Sequence, residues 1–168
     1  MTRAAAAALT AAVIGGVSGV APALADPAPN WDGWYRITFH TDRKSGTSMA
    51  ATQTEEPYTA AYLFATDCTS GTCVASVLKG PAPKDNVTQS VAFNWTGSQW
   101  SWTNNWRWDC LLPDGTVTFE PASSVTTYSP QADGSLTGTF ATNIGSGDCQ
   151  GTVYIPLTAA PFDPDSVA

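Results

Sequence analysis

Five of the seven tryptophans fall in the stretch Phe93-Asn94-Trp95-Thr96-Gly97-Ser98-Gln99-Trp100-Ser101-Trp102-Thr103-Asn104-Asn105-Trp106-Arg107-Trp108. Flat indole faces mixed with amides are the chemistry of recognition. The rings stack on a sugar ring or line a pocket, while Asn94, Gln99, Asn104, Asn105 and Arg107 supply directional hydrogen bonds. Alternate residues of a strand share a face, so Trp100 and Trp102 project together, and Trp106 and Trp108 do likewise. With Asn104-Asn105 read as a turn, these become two adjacent strands whose indoles form one aromatic face. Two fates compete for it. The large area of Trp favours burial in a core, whereas an accessible face would make Trp95, Trp100, Trp102, Asn104, Trp106, Arg107 and Trp108 a ligand-binding surface.

Catalysis finds little to work with. His40 is the single histidine and continues the alternation of a strand beside Phe39, and no Gly-x-Ser-x-Gly elbow marks a nucleophile. Glu55 and Glu56 precede Pro57 and read as a solvated loop, and nothing nominates a converging carboxylate pair. Asp109 and Glu120 are the carboxylates inside strand-like runs. No Gly-rich phosphate loop or calcium-loop spacing is present, so no cofactor is expected. The expectation is a domain that is not an enzyme.

Cys68, Cys73, Cys110 and Cys149 form an even set. In an exported chain this argues for two disulfides, and Cys-x4-Cys with no nearby His is a poor zinc set, so no metal is expected. Three pairings are open in principle. Cys68 and Cys73 flank the loop signal Thr69-Ser70-Gly71-Thr72 between two strand-like runs, so hairpin closure favours Cys68 with Cys73 and leaves Cys110 for Cys149.

The elements that must position these residues are short runs rich in Thr, Val, Tyr, Phe and Trp, punctuated by Gly, Pro, Asn and Asp. Strands are expected at 34–40, 47–52, 60–66, 73–78, 90–95, 99–103, 106–111, 116–120, 125–128, 136–144 and 151–157. Asp114-Gly115 and Asp133-Gly134 read as tight hairpin turns. Sequential hairpins favour an antiparallel up-and-down β-barrel over a β-sandwich.

Ahead of this lies Met1-Thr2-Arg3, then an apolar run from Ala4 to Val20, then Ala21-Pro22-Ala23-Leu24-Ala25, the pattern of a secretory signal peptide cleaved after Ala25. Glycines interrupt the run and no stop-transfer charges follow, so no stable membrane span is expected. No cysteine follows the cleavage point, so a lipid anchor is not indicated. Residues 26–168 would then form a single β-rich secreted domain, extracellular or held in the cell envelope. Fourteen Asp and Glu against seven Lys and Arg, a net charge of −7, oppose binding to nucleic acid or anionic lipid.

Trp31-Asp32-Gly33-Trp34-Tyr35, with a Gly followed by Trp at the start of a barrel, resembles the first strand of lipocalins and avidins, whose tryptophan closes the barrel floor. Ala132-Asp133-Gly134-Ser135-Leu136-Thr137-Gly138-Thr139-Phe140 is similar to an avidin hairpin. Trp106-Arg107-Trp108-Asp109-Cys110-Leu111-Leu112-Pro113-Asp114-Gly115, Tyr128-Ser129-Pro130 with Ala132-Asp133-Gly134-Ser135-Leu136-Thr137-Gly138-Thr139, and Ser146-Gly147-Asp148-Cys149-Gln150-Gly151-Thr152-Val153 resemble a group of small exported proteins of mycobacteria and related actinobacteria. That resemblance implies a disulfide-bonded protein of the envelope or culture fluid and adds no catalytic residue. The function expected is a non-catalytic binding domain using its Trp-rich face for a carbohydrate or envelope glycan. The alternatives are a barrel carrying a small apolar ligand and a structural or host-interaction factor. The oligomeric state stays open.

Overall fold

Runs of β-branched and aromatic residues, broken where Gly and Asp permit tight turns, build strands and only short 3-10 turns among the residues described by the computed structural model, 30–82 and 90–166. The leader expected at 1–25 lies outside them. The strands are β1 (Gly33–Phe39), β2 (Ser45–Gly46), β3 (Tyr58–Asp67), β4 (Val74–Lys79), β5 (Ala92–Trp95), β6 (Trp100–Leu111), β7 (Val117–Pro130), β8 (Leu136–Ile144) and β9 (Gly151–Pro161). Leaving aside β2, each pairs antiparallel with the next, and β9 returns to β1 over Phe39↔Leu157 to Tyr35↔Pro161. The sheet closes as an eight-strand up-and-down barrel, to which β2 adds two residues on β9. Closure leaves few unpaired edges.

Three expectations about strands are corrected. Asn104-Asn105 is no turn: β6 runs unbroken for twelve residues, with Asn104 opposite Ser124 and Asn105 opposite Ser123. A two-residue hairpin there would need positive φ at Asn, and no described residue other than glycine adopts it. The break expected between Glu120 and Val125 is also absent, although Pro121 lies inside it. The carbonyl of Pro121 accepts from Gly145 N–H, and N and C=O of a strand residue point the same way. The missing N–H therefore faces Gly145, just past the end of β8 at Ile144, and the Gly145 carbonyl accepts from Gln150 Nε2 at 3.4 Å instead. Thirdly, 47–52 is not a strand. Ser48 Oγ accepts from Ala50 N–H at 3.1 Å and donates to the Cys149 carbonyl at 2.6 Å, which coils Met49–Thr52 into a 3-10 turn.

The hairpin turns form where expected. Gly115 and Gly134 take φ of +86° and +81°, and the preceding Asp114 and Asp133 carboxylates accept the N–H and hydroxyl of Thr116 and Ser135. Those bonds hold both carboxyls below their ordinary pKa. The disulfides are Cys68–Cys73 and Cys110–Cys149, the preferred pairing. The second is fully buried and ties the end of β6 to the turn before β9. Beside it the buried Glu120 carboxylate accepts from the N–H groups of Asp148 at 2.7 Å and Cys149 at 3.0 Å.

One end of the barrel is packed shut. Trp31 stacks on Phe64 at 4.1 Å between ring centroids and touches Phe93, Trp100 and Tyr128 at 5.1, 6.0 and 5.1 Å. Each such fully buried ring contributes about 1.5–3 kcal/mol of transfer free energy. Asp32 locks the segment by accepting from Thr66 N–H, while Thr66 Oγ1 accepts from Trp31 N–H at 3.0 Å.

Candidate functional site

Because β6 is unbroken, its even positions all face the same way, and the burial of Trp100, Asn104 and Cys110 makes that way inward. The expected site residues therefore divide among three places. Trp100, with no exposure, belongs to the floor, and Trp95 packs on it at 5.2 Å. Trp102, Asn104, Trp106 and Trp108 line a chamber of about 1010 Å³ at the other end. Arg107 is on the outer face, where its guanidinium donates to the Phe119 carbonyl at 3.0 Å and lies 5.7 Å from the Phe119 ring centre.

The chamber has walls of β-sheet and a rim of loops. Phe39, Tyr58, Phe140 and Ile155 continue the wall, while the 41–58 connection and the hairpin around Leu112 and Pro113 form the rim. At the rim Lys44 Nζ and a Glu55 carboxylate oxygen pair at 2.8 Å. Beneath lies a second chamber of about 120 Å³ lined by apolar groups such as Ile37, Tyr62, Phe64, Val77 and Phe93, with Thr126 among them. Phe39, Trp102 and Phe140 line both chambers and form the waist between them.

The lumen stays hollow because small polar side chains face it from the neighbouring strands. Asn104, Ser124 and Thr142 are aligned across β6, β7 and β8 by register. Ser124 Oγ accepts from the Trp106 indole N–H at 2.7 Å and shares a hydrogen bond with Thr142 Oγ1 at 2.8 Å. That fixes the plane of Trp106, which lies 5.4 Å from Trp108. Asn104 and Thr126, 6% and 5% exposed, leave Oδ1 and Oγ1 without a partner among the described residues. Loss of water pushes Tyr62 above its ordinary pKa, and it raises Tyr58 to about 12 with help from Tyr62 and Glu55. Both phenols are neutral donors at physiological pH.

Sequence reasoning missed Phe39, Tyr58, Tyr62, Thr126 and Phe140. The period-2 run Glu120, Ala122, Ser124, Thr126, Tyr128, buried at each step, carries a signal that could have found Thr126: small residues at inward positions leave space. Lys44 and Glu55 reach the rim through a loop fold that no local pattern foretells. Glu120 serves the loop, not a site: it shares a cluster with Cys110 and Cys149, whose sulfurs are joined to each other. His40 bonds Thr158 Oγ1 at 3.1 Å on the outside of the barrel.

A family model described as the PknI serine/threonine-protein kinase sensor domain matches residues 28–164. The solved monomer form of the M. tuberculosis PknI sensor domain is similar at 19% identity and a TM-score of 0.58, covering 84% of this chain and 96% of that one. It shows the same fold. The dimer form of that domain is similar at 23% identity with a TM-score of 0.48, over 62% of this chain and 72% of that one. No curated protein matches the chain.

Proposed function

Since this chain belongs to the PknI serine/threonine-protein kinase sensor-domain family, we propose that it senses by admitting a small, largely apolar ligand to the barrel lumen. A sensor domain of that family is an extracellular, non-catalytic sensing module. The leader at 1–25 would take the chain across the membrane, in keeping with that location.

One observation carries the reading: the indoles of Trp102, Trp106 and Trp108 line the same open chamber as the unpartnered Asn104. A chamber of about 1010 Å³ with aromatic walls and few polar groups has the size and lining of small-molecule sites. The outer face of β6 offers Ser101, Thr103, Asn105 and Arg107 instead, so a surface platform of stacked indoles gains no support there. A glycan has one foothold, the wide outer chamber, where Trp106, Trp108 and Asn104 are placed to stack on and bond a sugar ring.

Titration with the neutral dye N-phenyl-1-naphthylamine tests the proposal. Saturable one-to-one binding with energy transfer from tryptophan, unaffected by soluble oligosaccharides, is expected. Displacement by oligosaccharides would move the assignment to a glycan, and failure of the dye to saturate would remove the lumen site.

A further inference from the structure

The ring-lined wall of the outer chamber is interrupted by one amide. Asn104 stands between Trp102 and Trp106 on the inward face of β6 and lines the chamber with them. It is 6% exposed, and its Oδ1 is closed off without a partner, so the amide Nδ2 is the polar group it presents to the space. No described residue accepts from that amide. The hydroxyls beside it are already committed. Ser124, opposite Asn104 in the ladder, accepts from the Trp106 indole at 2.7 Å and shares its other bond with Thr142 at 2.8 Å, and both hydroxyl residues are buried. At this depth the wall offers a hydrogen-bond donor and no open side-chain acceptor. The one cation among the described lining residues, Lys44, sits at the rim and is paired with Glu55 at 2.8 Å.

We infer, resting on the lumen reading above, that the ligand carries a neutral carbonyl acceptor, a ketone or an ester, which accepts from Asn104 Nδ2 between Trp102 and Trp106. Its apolar body lies against Trp106, Trp108 and Phe140. The choice follows from what each kind of group leaves unpaired. A pure hydrocarbon expels water from the amide and gives it nothing in exchange. A hydroxyl accepts from Asn104, but its own proton then meets no acceptor in the wall. A carboxylate would carry its charge out of water to a neutral amide, with no unpaired cation to balance it. A carbonyl oxygen accepts and brings no proton that must be placed.

Bound N-phenyl-1-naphthylamine is displaced from the purified protein with octan-2-one or with octan-2-ol, one skeleton carrying a carbonyl or a hydroxyl at the same carbon. The ketone is expected to bind about fivefold more tightly than the alcohol. In Asn104→Leu, checked for a native near-ultraviolet dichroism spectrum, the two should bind within about twofold of each other. A second measurement stands without the variant. The infrared carbonyl stretch of bound octan-2-one should lie below its position in hexane, because a hydrogen bond to the oxygen weakens the C=O bond, and should return toward that position in Asn104→Leu. Equal binding of ketone and alcohol, a ketone preference unchanged by the substitution, or a carbonyl band at its hexane position overturns the inference while leaving the lumen site standing. If neither compound displaces the dye, both readings fall.

Discussion

Among single residues, burial separates scaffold from site. Glu120 and Asn104 are both deep polar side chains, but Glu120 is satisfied by two backbone N–H groups and by the Thr118 hydroxyl, whereas Asn104 keeps an acceptor in hand. A satisfied buried carboxylate stabilises a turn, whereas an unsatisfied buried acceptor costs free energy. The two disulfides likewise differ in what they restrain. Cys68–Cys73 closes a separation of five residues and Cys110–Cys149 one of thirty-nine. On the chain-entropy account these are worth about 2 and about 4 kcal/mol. Replacing Cys110 and Cys149 together by Ala should therefore lower the urea midpoint about twice as far as replacing Cys68 and Cys73; equal shifts would mean that unfolded-state loop closure is not what these bonds supply.

The elements show why neighbouring strands overrule local turn propensity. Asn104-Asn105 has the composition of a turn, yet β7 pairs with β6 on every residue from Trp100 to Leu111. A reversal at that point would forfeit the ladder beyond it. Pro121 survives within β7 because its neighbour β8 stops one residue short. Close approach is also set at this scale. Gly138 on β8 faces Tyr128 on β7, and a Cβ there would press on the Thr127 carbonyl and sit 2.9 Å from the Tyr128 ring. Gly138→Ala should cost about 1–3 kcal/mol in equilibrium unfolding, because Tyr128 is wedged in the floor and the carbonyl belongs to a ladder. A neutral effect would show that β7 and β8 can part at this point.

For the molecule as a whole, closure of the sheet turns an aromatic strand into the wall of a container, and no helix among the described residues is long and apolar enough to cross a membrane. The container also buries phenols. Burial raises Tyr35, Tyr62 and Tyr128, the last well above the ordinary value, while partial loss of water, with Tyr62 and Glu55 nearby, raises the half-exposed Tyr58 at the rim to about 12. An unfolded chain loses these protons near pH 10 while the folded barrel holds them, so the unfolded state binds fewer protons above that point. Their contribution is intact below about pH 10 and is lost as pH climbs through the raised folded values, for Tyr58 about 12. The tyrosinate absorbance of Tyr35 and Tyr128 should rise late and together with loss of the barrel; early titration of these two phenols in folded protein would contradict their burial. Much of this architecture was legible beforehand: period-2 alternation and Asp-Gly turns point to an all-β chain of sequential hairpins, and the even cysteine set favours, without fixing, the pairing of Cys68 with Cys73 and Cys110 with Cys149 that the structure shows. The alternation also determines that Trp100 and Trp102 share a face. Which face, and whether it encloses solid core or empty space, was decided only in three dimensions. Local pattern registers that a residue alternates, but the volume of a lumen depends on side chains brought together from strands far apart in the chain: indoles from β6, and the hydroxyls of Ser124, Thr126 and Thr142 that are too small to fill the space beside them.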